Sequence, residues 1–192
     1  MGRIVISDFV SLDGVIEDPA GDEGFRVGGW VGEIKGQPEV GKILLDDALG
    51  TDALLLGRRS YEFLAARWPS RGGELADRLN SLPKYVVSST LEDPDWNNST
   101  VLKGDVVNEV SKLKQELDGE INVPASFQLA RMLIEHDLVD ELRLRVYPVM
   151  LGAGARLFGE TSDKKPMRLL DMQTAGDGVA LLTYEPIRDA YS

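Results

Sequence analysis

The chain has 192 residues, 43% of them hydrophobic and 28% charged, with no cysteine and a single histidine, His136. That length favours one domain, residues 1–192, with room for a full core. Without cysteines there are no disulfides or cysteine-ligated zinc, one histidine rules out a multi-histidine metal centre, and a net charge of −11 argues against nucleic-acid and anionic-membrane partners.

No apolar run approaches a membrane span, and residues 1–10 lack a basic leader with an apolar core, so a cytoplasmic protein is expected. Residues 3–9 are rich in β-branched side chains and predict a first strand. From Ser11 to about Gln37 the chain is rich in glycine and carboxylates and has no periodicity. A connection this long inside one domain predicts a lid or binding loop. Residues 38–49 predict a helix with Val40, Ile43, Leu44 and Ala48 on one face. Residues 52–56 read as a buried strand ended by Gly57, with a helix over 59–67 behind it. Another buried strand, 85–87, stops at Ser88 and Ser89. Residues 105–117 form an amphipathic helix, with Asp105 as its N-cap and Gly119 as its C-cap. A strand over 120–123 precedes a helix that Ser126 caps and that runs to about His136. A long strand is expected over 142–150. Strands over 168–174 and 179–185 flank Gly176-Asp177-Gly178, a hairpin signal. This order predicts an α/β fold: a mostly parallel sheet covered by helices, with an antiparallel C-terminal hairpin.

Ligands of open α/β sheets bind at the carboxyl ends of strands. Three such ends carry suggestive residues. At Gly57-Arg58-Arg59-Ser60 the glycine permits close backbone approach, the following helix offers free N–H groups, and the arginines add forked donors. The alternative is a solvated helix start. Between Arg58 and Lys84 the segment carries six cations against Glu62, Glu74 and Asp77, a net positive stretch in an acidic chain. The hydroxyls of Ser88 and Ser89 either bind phosphate or cap a turn. Ala125-Ser126 either opens a pyrophosphate cradle at a helix N-terminus or starts an ordinary capped helix. Gly152-Ala153-Gly154 is no dinucleotide fingerprint, since Leu157 stands where a third glycine is needed; it reads as a loop near the ligand, or a turn. Tyr61 and Trp68 read as core rather than ring-stacking residues, and His136 as structural.

The ordered set Ser11-Leu12-Asp13-Gly14, residues 56–62, residues 84–89, and residues 138–142 through Pro148, Gly152, Gly154 and Leu157-Phe158 resembles the dihydrofolate reductase-like superfamily. Within it, the chain is most similar to the C-terminal reductase domain of riboflavin-biosynthesis enzymes. The resemblance implies a three-layer fold with helices on both sheet faces, and an NADPH-dependent reductase that forms a homodimer. It places Arg58, Arg59, Ser60, Ser88 and Ser89 on the adenosine 2′-phosphate and nearby phosphates, with Gly57, Ala125 and Ser126 completing the cofactor site. It places Leu12 and Asp13 near nicotinamide and substrate, and makes Trp30 similar to the tryptophan bordering the pteridine of folate reductases. Asp13 is the candidate for orienting substrate or relaying a proton; its alternative is an Asp-Gly turn residue. Ala125 stands where the family commonly has glycine. With no cysteines there is no zinc-deaminase signature, so a stand-alone reductase domain is implied. The expected activity resembles 5-amino-6-(5-phosphoribosylamino)uracil reductase, acting on a small heterocycle. Two alternatives stay open. One is dihydrofolate reductase, against which Glu39, Asp46 and Asp47 fall out of register. The other is a non-catalytic nucleotide-binding dimer.

Overall fold

The computed structural model describes residues 1–33 and 37–188. Among these, eight strands form one sheet. They are β1 (Arg3–Ser11), β2 (Ala53–Gly57), β3 (Lys84–Val87), β4 (Ser99–Leu102), β5 (Glu120–Pro124), β6 (Glu141–Tyr147), β7 (Met167–Ala175) and β8 (Val179–Pro186). Their spatial order is β4-β3-β2-β5-β1-β6-β8-β7. The first six are parallel; β8 runs antiparallel to both β6 and β7. The helices are α1 (Gln37–Gly50), α2 (Arg58–Ala65), α3 (Glu74–Ser81), α4 (Val106–Glu116) and α5 (Phe127–Glu135). The fold is the dihydrofolate reductase-like α/β architecture, mostly parallel with an antiparallel C-terminal hairpin.

Strand alternation divides the core between the two faces of the sheet. Ile4, Ile6 and Val10 of β1 and Leu55 of β2 face Val110 and Leu113 of α4 and Leu129, Ala130 and Leu133 of α5. Leu54 and Leu56 point the other way, against Tyr61 of α2 and Leu82. On that second face Val40 of α1 joins Trp30 and Tyr147. Strands covered on both sides read as continuous apolar runs, which is why Leu54-Leu55-Leu56 was legible as buried. The carboxyl ends of β1, β2, β3 and β5 therefore open on the same edge of the sheet.

Several boundaries differ from the sequence-based expectation. Strand β6 ends at Tyr147, not Met150: Pro148 has no N–H to donate, and the Val149 amide turns back to the Tyr147 carbonyl. Helix α4 is N-capped by Asp105, whose side chain accepts the Asn108 amide, but its C-cap is Leu117, not Gly119; Gly119, with φ +93, turns the chain two residues later. Ser126 sits at the N-cap position of α5 without a side-chain capping bond; its hydroxyl donates to the Pro124 carbonyl instead. Helix α3 and strand β4 were not anticipated. Among the described residues, no helix is long and apolar enough to cross a membrane.

Candidate active site

A cleft of about 620 Å³ lies at the carboxyl ends of β1, β2, β3 and β5. Its floor includes Asp8 and Phe9 of β1 and Val87 of β3. One wall is Gly57, Arg58, Arg59 and Ser60, and another is Ala125, Ser126, Phe127 and Gln128. Ile16, Glu17, Pro19, Ala20 and Glu23 form a third. Parallel strands dictate this placement, because each β-to-α turn emerges on the same side.

Two helices begin on the cleft. Neither α2, with Gly57 at its N-cap, nor α5, with Ser126, has a side-chain cap bond among the described residues. Their first-turn amides and positive dipole ends are thus left for a ligand or water. The two turns are clamped together: the Ser60 hydroxyl donates to the Ala125 carbonyl at 2.9 Å, and the Gly57 amide donates to Ser126 Oγ at 3.1 Å. Ser60 and Ser126 therefore fix the spacing between the two helix starts. Arg58 reaches Glu62 at 2.8 Å and also donates to the Thr90 hydroxyl. Arg59 reaches Glu23 at 3.2 Å. Both guanidinium groups remain largely exposed at the cleft mouth.

Ala125 has φ +55, in the left-handed region where a Cβ is disfavoured. The expected glycine position is thus a left-handed turn that an alanine occupies under strain. The turn aims the Ala125 amide at Asp8 Oδ1, 2.8 Å away. The Asp8 side chain points to the face of Ile4 and Ile6 and is buried (5% exposed); Oδ2 has no hydrogen-bond partner among the described residues. Burial drives its carboxyl up to about 7, partly offset by the Ala125 amide and the Arg145 charge. Asp8 was not anticipated. The signal was present: a carboxylate at the third position of the Ile4, Ile6, Asp8, Val10 alternation, where period two demands an apolar side chain.

The described part of the long loop after β1 is tied down by hydrogen bonds. Asp18, buried and at φ +46, accepts the amides of Glu23 and Phe25 on its carboxylate and those of Gly21 and Gly29 on its carbonyl. The Glu17 carboxylate accepts the Ala155 amide at 2.7 Å. Ile16, Glu17, Pro19, Ala20 and Glu23 of this loop form a cleft wall, while residues 34–36 of the expected lid or binding loop lie outside the described residues.

Of the residues singled out in the sequence, Gly57, Arg58, Arg59, Ser60, Ala125 and Ser126 meet on this cleft. Ser88 and Ser89 do not line it. The Ser88 hydroxyl accepts the amides of Thr90 and Leu91, a turn-forming use, and Ser89 is exposed beside it. Leu12, Asp13, Gly152 and Gly154 gather outside it. Asp13 accepts the Ser11 hydroxyl at 2.5 Å and the amides of Leu151 and Gly152. These bonds, the Ser11 one foremost, pull its carboxyl down to about 2. In this geometry Asp13 ties the turn to Leu151 and Gly152 as an ionised carboxylate. Leu12 is exposed, and Gly154 packs against Val15 and Phe25. Trp30 is buried beneath α1, edge-on to Tyr147 at 5.6 Å, with its indole N–H on the Glu17 carbonyl; it borders no part of the cleft. Asp47 is held by Arg143 and Arg145 on the opposite sheet face, and Glu39 accepts the Gly176 amide.

The model of the RibD C-terminal domain family matches residues 3–181. The chain belongs to this family. Bacillus subtilis YyaP, a protein of uncharacterized function, is 28% identical over 187 residues, covering 95% of this chain and 94% of that protein. Among solved structures, a candidate riboflavin biosynthesis protein from Shewanella sp. PV-4 superposes with a TM-score of 0.77 at 21% identity, covering 97% and 99% of the two chains. Enterococcus faecalis dihydrofolate reductase, solved with NADP(H), gives 0.59 at 14% identity over 96% of each chain. At such identities the structural likenesses establish the fold.

Proposed function

We propose that the chain is an NADPH-dependent reductase of a small heterocycle, similar in reaction to 5-amino-6-(5-phosphoribosylamino)uracil reductase. The observation that carries this reading is the pair of uncapped helix starts, α2 and α5, clamped side by side on one cleft with Arg58 and Arg59 at its mouth. Such a pair suits a ligand with two separated phosphate groups. The family match to the RibD C-terminal domain and the fold shared with an NADP(H)-binding reductase support it.

The residues present fit a phosphorylated dinucleotide. Arg58, Arg59 and the first amides of α2 hold the 2′-phosphate, where guanidinium forks suit phosphate oxygens. The first amides of α5 face the diphosphate. Thr90 orients Arg58 from the Ser88-Ser89 turn, which places that turn behind the phosphate contacts. The wall from Ile16 to Glu23 and the apolar Phe127, Leu129 and Met132 exclude water from the interior. Asp13 positions the loop through Leu151 and Gly152. When bound, the dihydronicotinamide supplies the hydride.

NADPH consumption with 5-amino-6-(5-phosphoribosylamino)uracil, and separately with dihydrofolate, tests the reading. Turnover with the pyrimidine alone is expected. Turnover with dihydrofolate alone points to the folate reductase alternative, and NADPH binding without consumption of either to the non-catalytic one.

The homodimer belongs to the same proposal. Strand β7 is the sheet edge and exposes Leu169, Leu170 and Met172 at 46%, 48% and 65%. An apolar edge strand of nine residues invites pairing, and a second copy of this chain is the proposed cover.

A further inference from the structure

We propose that Asp8 admits the cofactor diphosphate beside it only as the neutral acid, so that dinucleotide binding draws one proton into the cleft. This rests on the reading of the cleft as a dinucleotide site and adds to it a proton-linked ligand on the protein side.

The geometry forces the choice. Asp8 Oδ1 already takes the Ala125 amide, a donor at the start of the α5 turn where a diphosphate is expected. Asp8 lines that cleft, is 5% exposed, and leaves Oδ2 without a partner among the described residues. An ionised carboxylate there competes with a diphosphate for the same amides and repels it across a low-dielectric cleft. A neutral carboxyl removes the repulsion, while Oδ1 keeps the Ala125 amide bond.

The surrounding charges leave this balance close to neutral pH. Arg145 of β6 favours the carboxylate, but its guanidinium is held on the opposite sheet face by Ser7 and Asp47. The neighbouring α5 start contributes Ala125, Ser126, Phe127 and Gln128, none of them titratable. On the facing walls Glu17 holds the Ala155 amide, Glu23 is paired with Arg59, and Glu62 with Arg58. Burial dominates and sets the Asp8 carboxyl at about 7. The free protein is thus partly ionised at neutral pH and must take up a proton from solvent to bind; the proton returns on release.

Calorimetric titration of the full chain with NADPH, from about pH 6.5 to 8.5, tests this in buffers of different ionisation enthalpy. The wild type is expected to weaken about 25-fold across that range, as one group of pKa about 7 must be protonated. Proton uptake should approach one per cofactor at the alkaline end. Asp8→Asn, which keeps the shape and cannot ionise, should bind with an affinity that Asp8 no longer makes pH-dependent. The cofactor 2′-phosphate titrates near pH 6 in both proteins, so the difference between them is the readout. Parallel pH profiles, or no proton uptake by the wild type at about pH 8, overturn the inference while leaving the cofactor reading intact. Should Asp8→Asn not fold, wild-type uptake at that pH decides alone, since the 2′-phosphate is then ionised throughout. Failure of both folded proteins to bind NADPH at about pH 6.5 rejects the cofactor reading and this inference with it.

Discussion

Asp8→Asn also tests the buried carboxyl without any ligand. Its folded-state pKa of about 7 lies above the 3.8 of the free side chain. Between those values the native state holds a proton that the unfolded chain has lost, so stability falls as pH rises through the window and levels off above it. At 1.36 kcal/mol per unit, the two units between about pH 5 and 7 correspond to a loss of about 2.7 kcal/mol by pH 8. For a urea slope of about 2–3 kcal/mol/M this is a shift of about 1 M in the unfolding midpoint. Urea unfolding followed by tryptophan fluorescence at about pH 5 and pH 8 measures it. Subtracting the Asp8→Asn slope removes the other groups. Asp13 and Asp140, held below their ordinary values, act in the opposite sense and at lower pH. Wild type and Asp8→Asn losing stability equally over this window would refute the claim that Asp8 is a buried, protonated acid.

Ala125→Gly relieves a left-handed alanine, worth about 1–2 kcal/mol, against a loss of about 0.5–1 kcal/mol from a more flexible unfolded chain. A Tm higher by about 2 °C is expected by calorimetry; a lower one means the turn is not strained. Arg59→Ala should raise the Kd for NADPH about tenfold and leave that for NADH unchanged, as one lost charge-assisted contact predicts; an equal loss for both cofactors places the 2′-phosphate elsewhere. Lys84→Met strips the buried ammonium from the carbonyls of Asn80, Leu82 and Asn97. It should cost about 3 kcal/mol or more in urea unfolding. Leu170→Glu on the β7 edge should give a monomeric sedimentation coefficient where the wild type is a dimer; an unchanged dimer moves the interface off that strand.

The strands that frame the cleft were legible because each is a short apolar run with a sharp stop: Gly57 at the end of β2, Ser88 after β3 and Pro124 at the end of β5. Their shared edge followed from the parallel order, so the Gly57–Ser60 and Ala125-Ser126 turns were expected together. Helix α3 escaped because it is short and mostly polar, burying only Ala76. Strand β4 is a four-residue edge strand, too short to show a period. Pro148 could have ended β6 on sight, since a proline inside a central strand removes a ladder donor. Side-chain use was harder to read. Whether Ser88 faces a phosphate or its own turn depends on where the amides of Thr90 and Leu91 lie. Trp30 sits in an aperiodic loop, where no pattern tells the cleft side from the α1 side. Asp13 holds the turn through Leu151 and Gly152, outside the cleft lining, while Asp8, two positions past Ile6 on the apolar face, is the acid that packing places in the cleft.

The central claim is that this cleft takes a 2′-phosphorylated dinucleotide. Titrating the purified full chain with NADPH and with NADH at about pH 6.5, where Asp8 is mostly protonated, tests it most directly. The account predicts one site per chain with NADPH bound at least about tenfold more tightly, the worth of one charge-assisted phosphate contact. Equal affinities, or no binding of either, would contradict it.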